Sequence, residues 1–339
     1  MQEAQLYEER GEGAVRCNVC PRRCVVKPGA RGHCEVRVNR EGKLYSLTYG
    51  RCSSVAADPI EKKPVFNFCP GTMVFSLGTL GCNFHCIHCQ NWQIAHASPT
   101  LGAGELTELS PEDTLLAARR YQCRGVAWTY NEPTIWFEYI LETAKLFKEN
   151  GLYTVMVTNG YITPEALDEL GPHIDVYRVD VKAWTREAYK KITGVPAAEE
   201  VRASAERAKK KWKMHVEVVT NVIPTINDDD EQLEAIAGWI MAELGDKTPW
   251  HITRFVPYLE LSHLPPTPTN TLERAREIGK KAGLCFVYLG NVPGHEAENT
   301  YCCNCGRLVI DRVGFSIAAF NVHEGHCAFC GYDLGIKLC

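Results

Sequence analysis

The feature that most constrains this chain is Cys82-Asn-Phe-His-Cys86-Ile-His-Cys89, which sets three thiols within one short stretch. The apolar run Met73-Val-Phe-Ser-Leu-Gly-Thr-Leu80 precedes it and reads as a buried strand, and Gly81 lets the backbone turn into the loop. Soft thiolates select iron–sulfur clusters, zinc or copper(I), and three at this spacing can converge on one [4Fe–4S] cubane. Three ligands leave one iron open, which suits a catalytic centre. The competing assignment is a zinc site completed by His85 or His88.

The Cys-x3-Cys-x2-Cys spacing resembles the cluster motif of the radical S-adenosylmethionine (SAM) superfamily. The resemblance implies that the open iron is chelated by the amino and carboxylate groups of SAM. One electron then splits the cofactor into methionine and a 5′-deoxyadenosyl radical that abstracts hydrogen from a substrate. In that family the residue before the third cysteine often lies near the adenine, and here it is His88.

Seventeen cysteines in 339 residues would suggest disulfides in a small secreted chain, but this one is long and carries no recognisable export signal. Eleven of them fall into three groups: Cys17, Cys20, Cys24 and Cys34; Cys82, Cys86 and Cys89; Cys302, Cys305, Cys327 and Cys330. The rest (Cys52, Cys69, Cys123, Cys285, Cys303 and Cys339) read as reduced thiols of a reducing cytoplasm. A net charge of −4 gives no sign of a nucleic-acid surface, and Lys209-Lys210-Lys211 reads as an exposed helix end. No apolar stretch is long enough to span a membrane.

Residues 1–70 are turn-rich and read as a four-cysteine module in which Cys17, Cys20, Cys24 and Cys34 hold zinc or a second iron–sulfur cluster. The segment from Asp58 to Gly71 reads as an extended link. Residues 71–298 then alternate between strand and helix patterns. Strands are expected at Met73–Leu80, Val126–Tyr130, Tyr153–Thr158, Val176–Val181, Val216–Ile223, His251–Val256 and Phe286–Leu289. Helix starts are marked by Ser110-Pro111, Thr163-Pro164 and Thr185. Such repetition argues for an α/β fold with a parallel sheet, either doubly wound or a barrel. The superfamily resemblance implies the partial (β/α)6 TIM-like barrel. Residues 299–339 carry two Cys-x2-Cys knuckles, each followed by glycine (Gly306, Gly331), around the hairpin-like stretch Leu308–Ile317. That pattern predicts a zinc-ribbon-like module on Cys302, Cys305, Cys327 and Cys330, with His326 as an alternative ligand.

In a parallel barrel the chemistry gathers at the C-terminal strand ends. Asn131, Glu132, Asn159, Asp180, Lys182, Asn221 and Arg254 all fall at or beside such ends. The superfamily resemblance implies SAM-binding roles for several of them. Asn131-Glu132-Pro133 is similar to the element that takes the amino group, and Asn159 to a ribose- or carboxylate-contacting element. Asp180-Val-Lys182 resembles the Asp-Leu-Lys element of glycyl-radical activating enzymes, where Lys182 would neutralise the carboxylate. Asn221 and Ile223 match the strand that flanks adenine, and Arg254 with His251 is a candidate cofactor or substrate contact. No catalytic acid or base stands out.

A narrower resemblance spans essentially the whole chain. Gly81–Trp92, Trp128–Thr134 and Asn291–Cys302, with the two outer cysteine modules, resemble the radical SAM enzymes of the AmmeMemoRadiSam system. Their wider relatives are the pyruvate-formate-lyase-activating-enzyme-like group. The resemblance implies reduced ferredoxin or flavodoxin as electron donor and AMMECR-type and Memo-type protein companions. It names no substrate. The alternatives are a glycyl-radical activating enzyme and, more distantly, a non-enzymatic zinc-ribbon interaction protein.

Overall fold

The computed structural model describes residues 1–98 and 106–339. Its centre is one eight-stranded sheet: β1 (Ser54–Pro59), β2 (Met73–Gly78), β3 (Gly125–Trp128), β4 (Tyr153–Thr158), β5 (Val176–Asp180), β6 (His215–Val222), β7 (Trp250–Arg254) and β8 (Val287–Gly290). They lie side by side in chain order. β2 to β8 are parallel and β1 runs antiparallel against β2. β1 and β8 are the two edges, so the sheet is an open partial barrel. The parallel strands number seven, at the seven runs that the sequence pattern marks.

The strands read as apolar runs because both faces are covered. Trp128, Trp250, Tyr177 and Val155 are fully buried. Helices α1 (Pro111–Arg120), α2 (Phe137–Glu149), α3 (Pro164–Leu170), α4 (Arg186–Thr193), α5 (Ala198–Lys210), α6 (Asp230–Trp239) and α7 (Thr269–Lys281) connect them. Their starts follow capping chemistry. Ser110 and Asp113 form a reciprocal capping box, and Thr163, Thr185 and Asp229 each accept a first-turn N–H. No helix among the described residues is long and apolar enough to cross a membrane.

Two features depart from expectation. Ser54–Pro59 spans the end of the expected cysteine module and the start of the expected link, yet it pairs with β2 along its length, so the main sheet begins before residue 70. Cys69 and Cys339, expected as reduced thiols, are joined as a disulfide with Cα atoms 5.3 Å apart. The C-terminal segment runs beside residues 67–69, with Cys69 N donating to the Lys337 carbonyl at 2.7 Å, which brings the two together.

The N-terminal ends of the strands close on a buried carboxylate. Glu217 near the start of β6 accepts from His215 Nε2 (2.8 Å), His251 Nε2 (2.6 Å) and the backbone N–H groups of Phe66 and Asn67. His251, expected beside the reaction site, is therefore buried in the barrel floor, the end that governs stability. Burial pushes the Glu217 carboxyl up, but the two imidazoles overcome it and hold it below the usual range. A depressed carboxylate stabilises above its unfolded pKa of about 4.3 and loses that contribution as pH falls. Glu217→Gln should thus unfold at a lower urea concentration at pH 7 and lose less stability between pH 7 and pH 3. A variant with the wild-type acid slope would contradict this role.

Candidate active site

At the opposite end of the sheet a cavity of about 480 Å³ lies over the C-terminal strand ends, within the range that takes one drug-sized ligand. Cys82, Cys86 and Cys89 line it from the loop after β2. That loop starts at Gly81, whose φ of +85° and closeness to the Cys34 carbonyl, 2.5 Å from where a Cβ would sit, leave room only for glycine. Asn131 fastens it from β3: its Oδ1 accepts from Thr79 N at 3.0 Å and its Nδ2 donates to the Gly81 carbonyl at 2.8 Å. Asn131 lines the cavity, but its side chain is committed to holding the loop.

Glu132 is buried beside it and ties two strand ends together. Its Oε1 accepts from Thr134 N (2.8 Å) and Thr158 Oγ1 (2.7 Å), and its Oε2 from Asn159 N (2.7 Å). Glu132 therefore caps the short helical turn Pro133–Trp136 while still lining the cavity. Burial pushes its carboxyl up. Asn159 carries the connection on, with Nδ2 at 2.8 Å from Asn83 Oδ1 and 3.8 Å from Cys82 Sγ.

β5 supplies the charged wall. Arg178, Asp180 and Lys182 alternate onto the cavity face, and Asp180 accepts from Arg178 and, at 3.1 Å, from Lys182 Nζ. Burial pushes the Asp180 carboxyl up, but these two cations overcome it and hold it below its usual range. Burial opposes the Lys182 charge, yet Asp180 and Cys86 raise its pKa. Asn221 completes the wall, its Nδ2 donating to Thr253 Oγ1 at 3.0 Å. His88 also faces the cavity. Burial, and then the Lys182 ammonium, push it down to about 3, so its ring is neutral at pH 7.

The structure thus brings together His88, Asn131, Glu132, Asn159, Asp180, Lys182 and Asn221 with the three cysteines. Arg254 stands apart: its Nε donates to the Thr267 carbonyl at 2.9 Å, outside the cavity lining. Arg178, Lys63, Asn91 and Thr253 line the cavity and escaped the sequence reading. Arg178 was within reach, since a strand alternates faces and it sits two residues before Asp180. Lys63 arrives from the link and pairs with Asp58 at 2.6 Å, a placement only the tertiary fold reveals.

The donor set fits a cluster. Among the described residues, the one set of three or more His, Cys, Asp or Glu residues whose ligand atoms all lie within 4.8 Å of one another is Cys302, Cys305, Cys327 and Cys330. Cys82, Cys86 and Cys89 share one wall but form no such group with His85 or His88, which argues against a single zinc ion there. A cubane spreads its ligand sulfurs farther apart than one ion does. Burial pushes the Cys86 thiol up to about 12, so a thiolate here needs the positive charge of bound iron. His88 Nδ1 is a buried polar atom without a partner on the same cavity wall.

The C-terminal group is of the single-ion kind. Cys302 and Cys330 Sγ lie 3.6 Å apart and Cys305 and Cys327 Sγ 3.8 Å apart, as tetrahedral coordination requires. His326 is not in the group, its Nδ1 lying 2.8 Å from the Glu324 carbonyl oxygen.

Residues 77–239 match the family model described as the Radical SAM superfamily. An uncharacterised protein of Methanocaldococcus jannaschii is 44% identical over 340 residues, spanning 100% of both chains. The pyruvate formate-lyase-activating enzyme of Clostridium pasteurianum is 29% identical over 169 residues, 47% of this chain and 66% of that protein. A putative glycyl-radical enzyme activating enzyme of M. jannaschii is 26% identical over 219 residues, 64% of this chain and 78% of that protein. Motif, open barrel and cavity agree with these likenesses, and the chain belongs to the radical SAM superfamily of enzymes, in its pyruvate-formate-lyase-activating-enzyme-like group.

Proposed function

We propose that the cavity holds SAM between the cysteine loop and the charged wall, and that the radical formed there takes hydrogen from a small molecule or from a residue of a partner protein. The observation that carries this reading is the lining of one cavity, which brings the three cysteine thiols and the Glu132 carboxyl together with the Arg178 and Lys182 cations that Asp180 holds. When bound, the cluster and SAM together supply a one-electron cleavage that yields the 5′-deoxyadenosyl radical. The chain's own residues bind and orient. Glu132, already fixed by three donors, presents a carboxylate to the SAM ammonium. Lys182 and Arg178 face the SAM carboxylate, with Asp180 holding both cations in place. Asn159 serves the ribose, and Asn221 and the neutral His88 ring serve the adenine.

The partner reading rests on the AmmeMemoRadiSam resemblance, with AMMECR-type and Memo-type proteins as companions and reduced ferredoxin or flavodoxin as donor. A second reading, activation of a glycyl-radical enzyme, is favoured by the names of two relatives. A stable glycyl-radical EPR doublet on an added protein would select the second, and companion-dependent turnover without that doublet the first. The C-terminal thiols hold a structural zinc ion in this reading.

Two variants test the assignments. A hydrogen bond to a charged group contributes about 1.5–3 kcal/mol, so Glu132→Gln should raise the SAM dissociation constant roughly ten- to a hundred-fold. Titrating SAM into the reduced variant while following the cluster's EPR signal measures this, and an unchanged affinity would leave Glu132 only its capping role. Cys305→Ala should lower zinc from about one per chain and lower the melting temperature, because structural zinc contributes folding energy directly. Full zinc content in that variant would move the ligand elsewhere.

A further inference from the structure

We propose that Cys17, Cys20, Cys24 and Cys34 bind a second [4Fe–4S] cluster, packed directly against the loop that carries the first. The four cysteines line one small cavity in the N-terminal module. The chain contains its own standard for a zinc-type site. In the C-terminal group, sulfur pairs lie 3.6 and 3.8 Å apart, close to the roughly 3.8 Å that tetrahedral Zn–S bonds of about 2.3 Å impose. The four N-terminal cysteines line one cavity, yet no three of their sulfurs lie within 4.8 Å of one another. In this they match Cys82, Cys86 and Cys89 rather than the C-terminal four. Thiolates that face a common space at a wider spacing fit a multi-iron cubane better than one ion. Four ligands would saturate such a cluster, leaving no open iron and hence no second SAM site.

The surroundings support it independently. Arg37 is buried against this cavity and held by Glu138, with Nη1–Oε1 and Nη2–Oε2 at 3.0 and 2.8 Å. It sets a fixed cation beside a site whose four thiolates would carry net negative charge. Arg22 lines the same cavity, and its Nε donates to the Asn83 carbonyl at 3.3 Å. Asn83, which follows Cys82, lines it as well, so the loop of the first cysteine set forms part of this cavity's wall. His33, beside Cys34, and His85, beside Cys86, bring their rings to 4.5 Å between centroids. A cluster at this place would supply a one-electron carrier in contact with the loop of the first. The site itself does not depend on how the barrel cavity is used; only that carrier role rests on the radical SAM reading.

The test is metal content of the full chain, reconstituted anaerobically with iron and sulfide. The wild type should hold about eight irons and about one zinc per chain. Removing the first cluster by the triple change Cys82→Ala, Cys86→Ala and Cys89→Ala should leave about four irons, with a dithionite-reduced EPR signal that SAM does not shift. The triple change Cys17→Ala, Cys20→Ala and Cys24→Ala should leave about four irons whose signal SAM still shifts. About four irons and two zincs in the wild type would overturn the proposal even if neither variant folds. So would an iron-free Cys82/Cys86/Cys89 variant. If the radical SAM reading failed instead, that variant and the wild type would hold the same iron.

Discussion

The buried carboxylate of Glu132 is the point on which the reaction site depends. Three donors converge on it from the first turn after β3 and from the end of β4. Placing an ionisable group there costs desolvation, seen in the upward push on its pKa, and only full hydrogen bonding makes it tolerable. In return it sets the relative position of two strand ends. Asn159, held by its backbone N–H, then reaches Asn83 and the Cys82 sulfur. One acceptor thus links a helix cap, two strands and the cysteine loop, and rigid support of this kind lets a loop present three sulfurs in a fixed arrangement.

The two ends of the barrel use the same device for different purposes. On the floor, Glu217 is sealed by His215, His251 and the chain at Phe66–Asn67, with nothing left to bind. At the mouth, Asp180 holds Arg178 and Lys182 on the wall of an open cavity. Position along the strand separates the carboxylate sealed in the floor from the one that lines the cavity. The residue types alone do not.

That distinction marks the boundary of what the sequence reveals. The cysteine loop, the strand Tyr153–Thr158 and the helix starts at Ser110, Thr163 and Thr185 were legible because spacing, β-branched runs and capping are local signals. The rim residues Glu132, Asn159, Asp180 and Asn221 were legible because a parallel sheet puts every strand end on one side. His251 misled because a polar residue on a strand that carries a rim residue invites a site role, whereas it lies near the start of β7 and bonds Glu217 at the floor. Arg254 sits at the right end, but a loop carbonyl takes its side chain. The strand Ser54–Pro59 has a weak pattern and exists because β2 offers it an edge. The Cys69–Cys339 pair, 270 residues apart, has no spacing to read.

All of this converges on one claim: the cavity over β2 to β7 couples a cysteine-held cluster to SAM. Reducing the iron-loaded full chain with dithionite in the presence of SAM, and quantifying the products by chromatography, tests it directly. The account predicts 5′-deoxyadenosine and methionine in equal amounts, both absent when the reductant is withheld. An iron-loaded, reduced chain that binds SAM and releases neither product would contradict it.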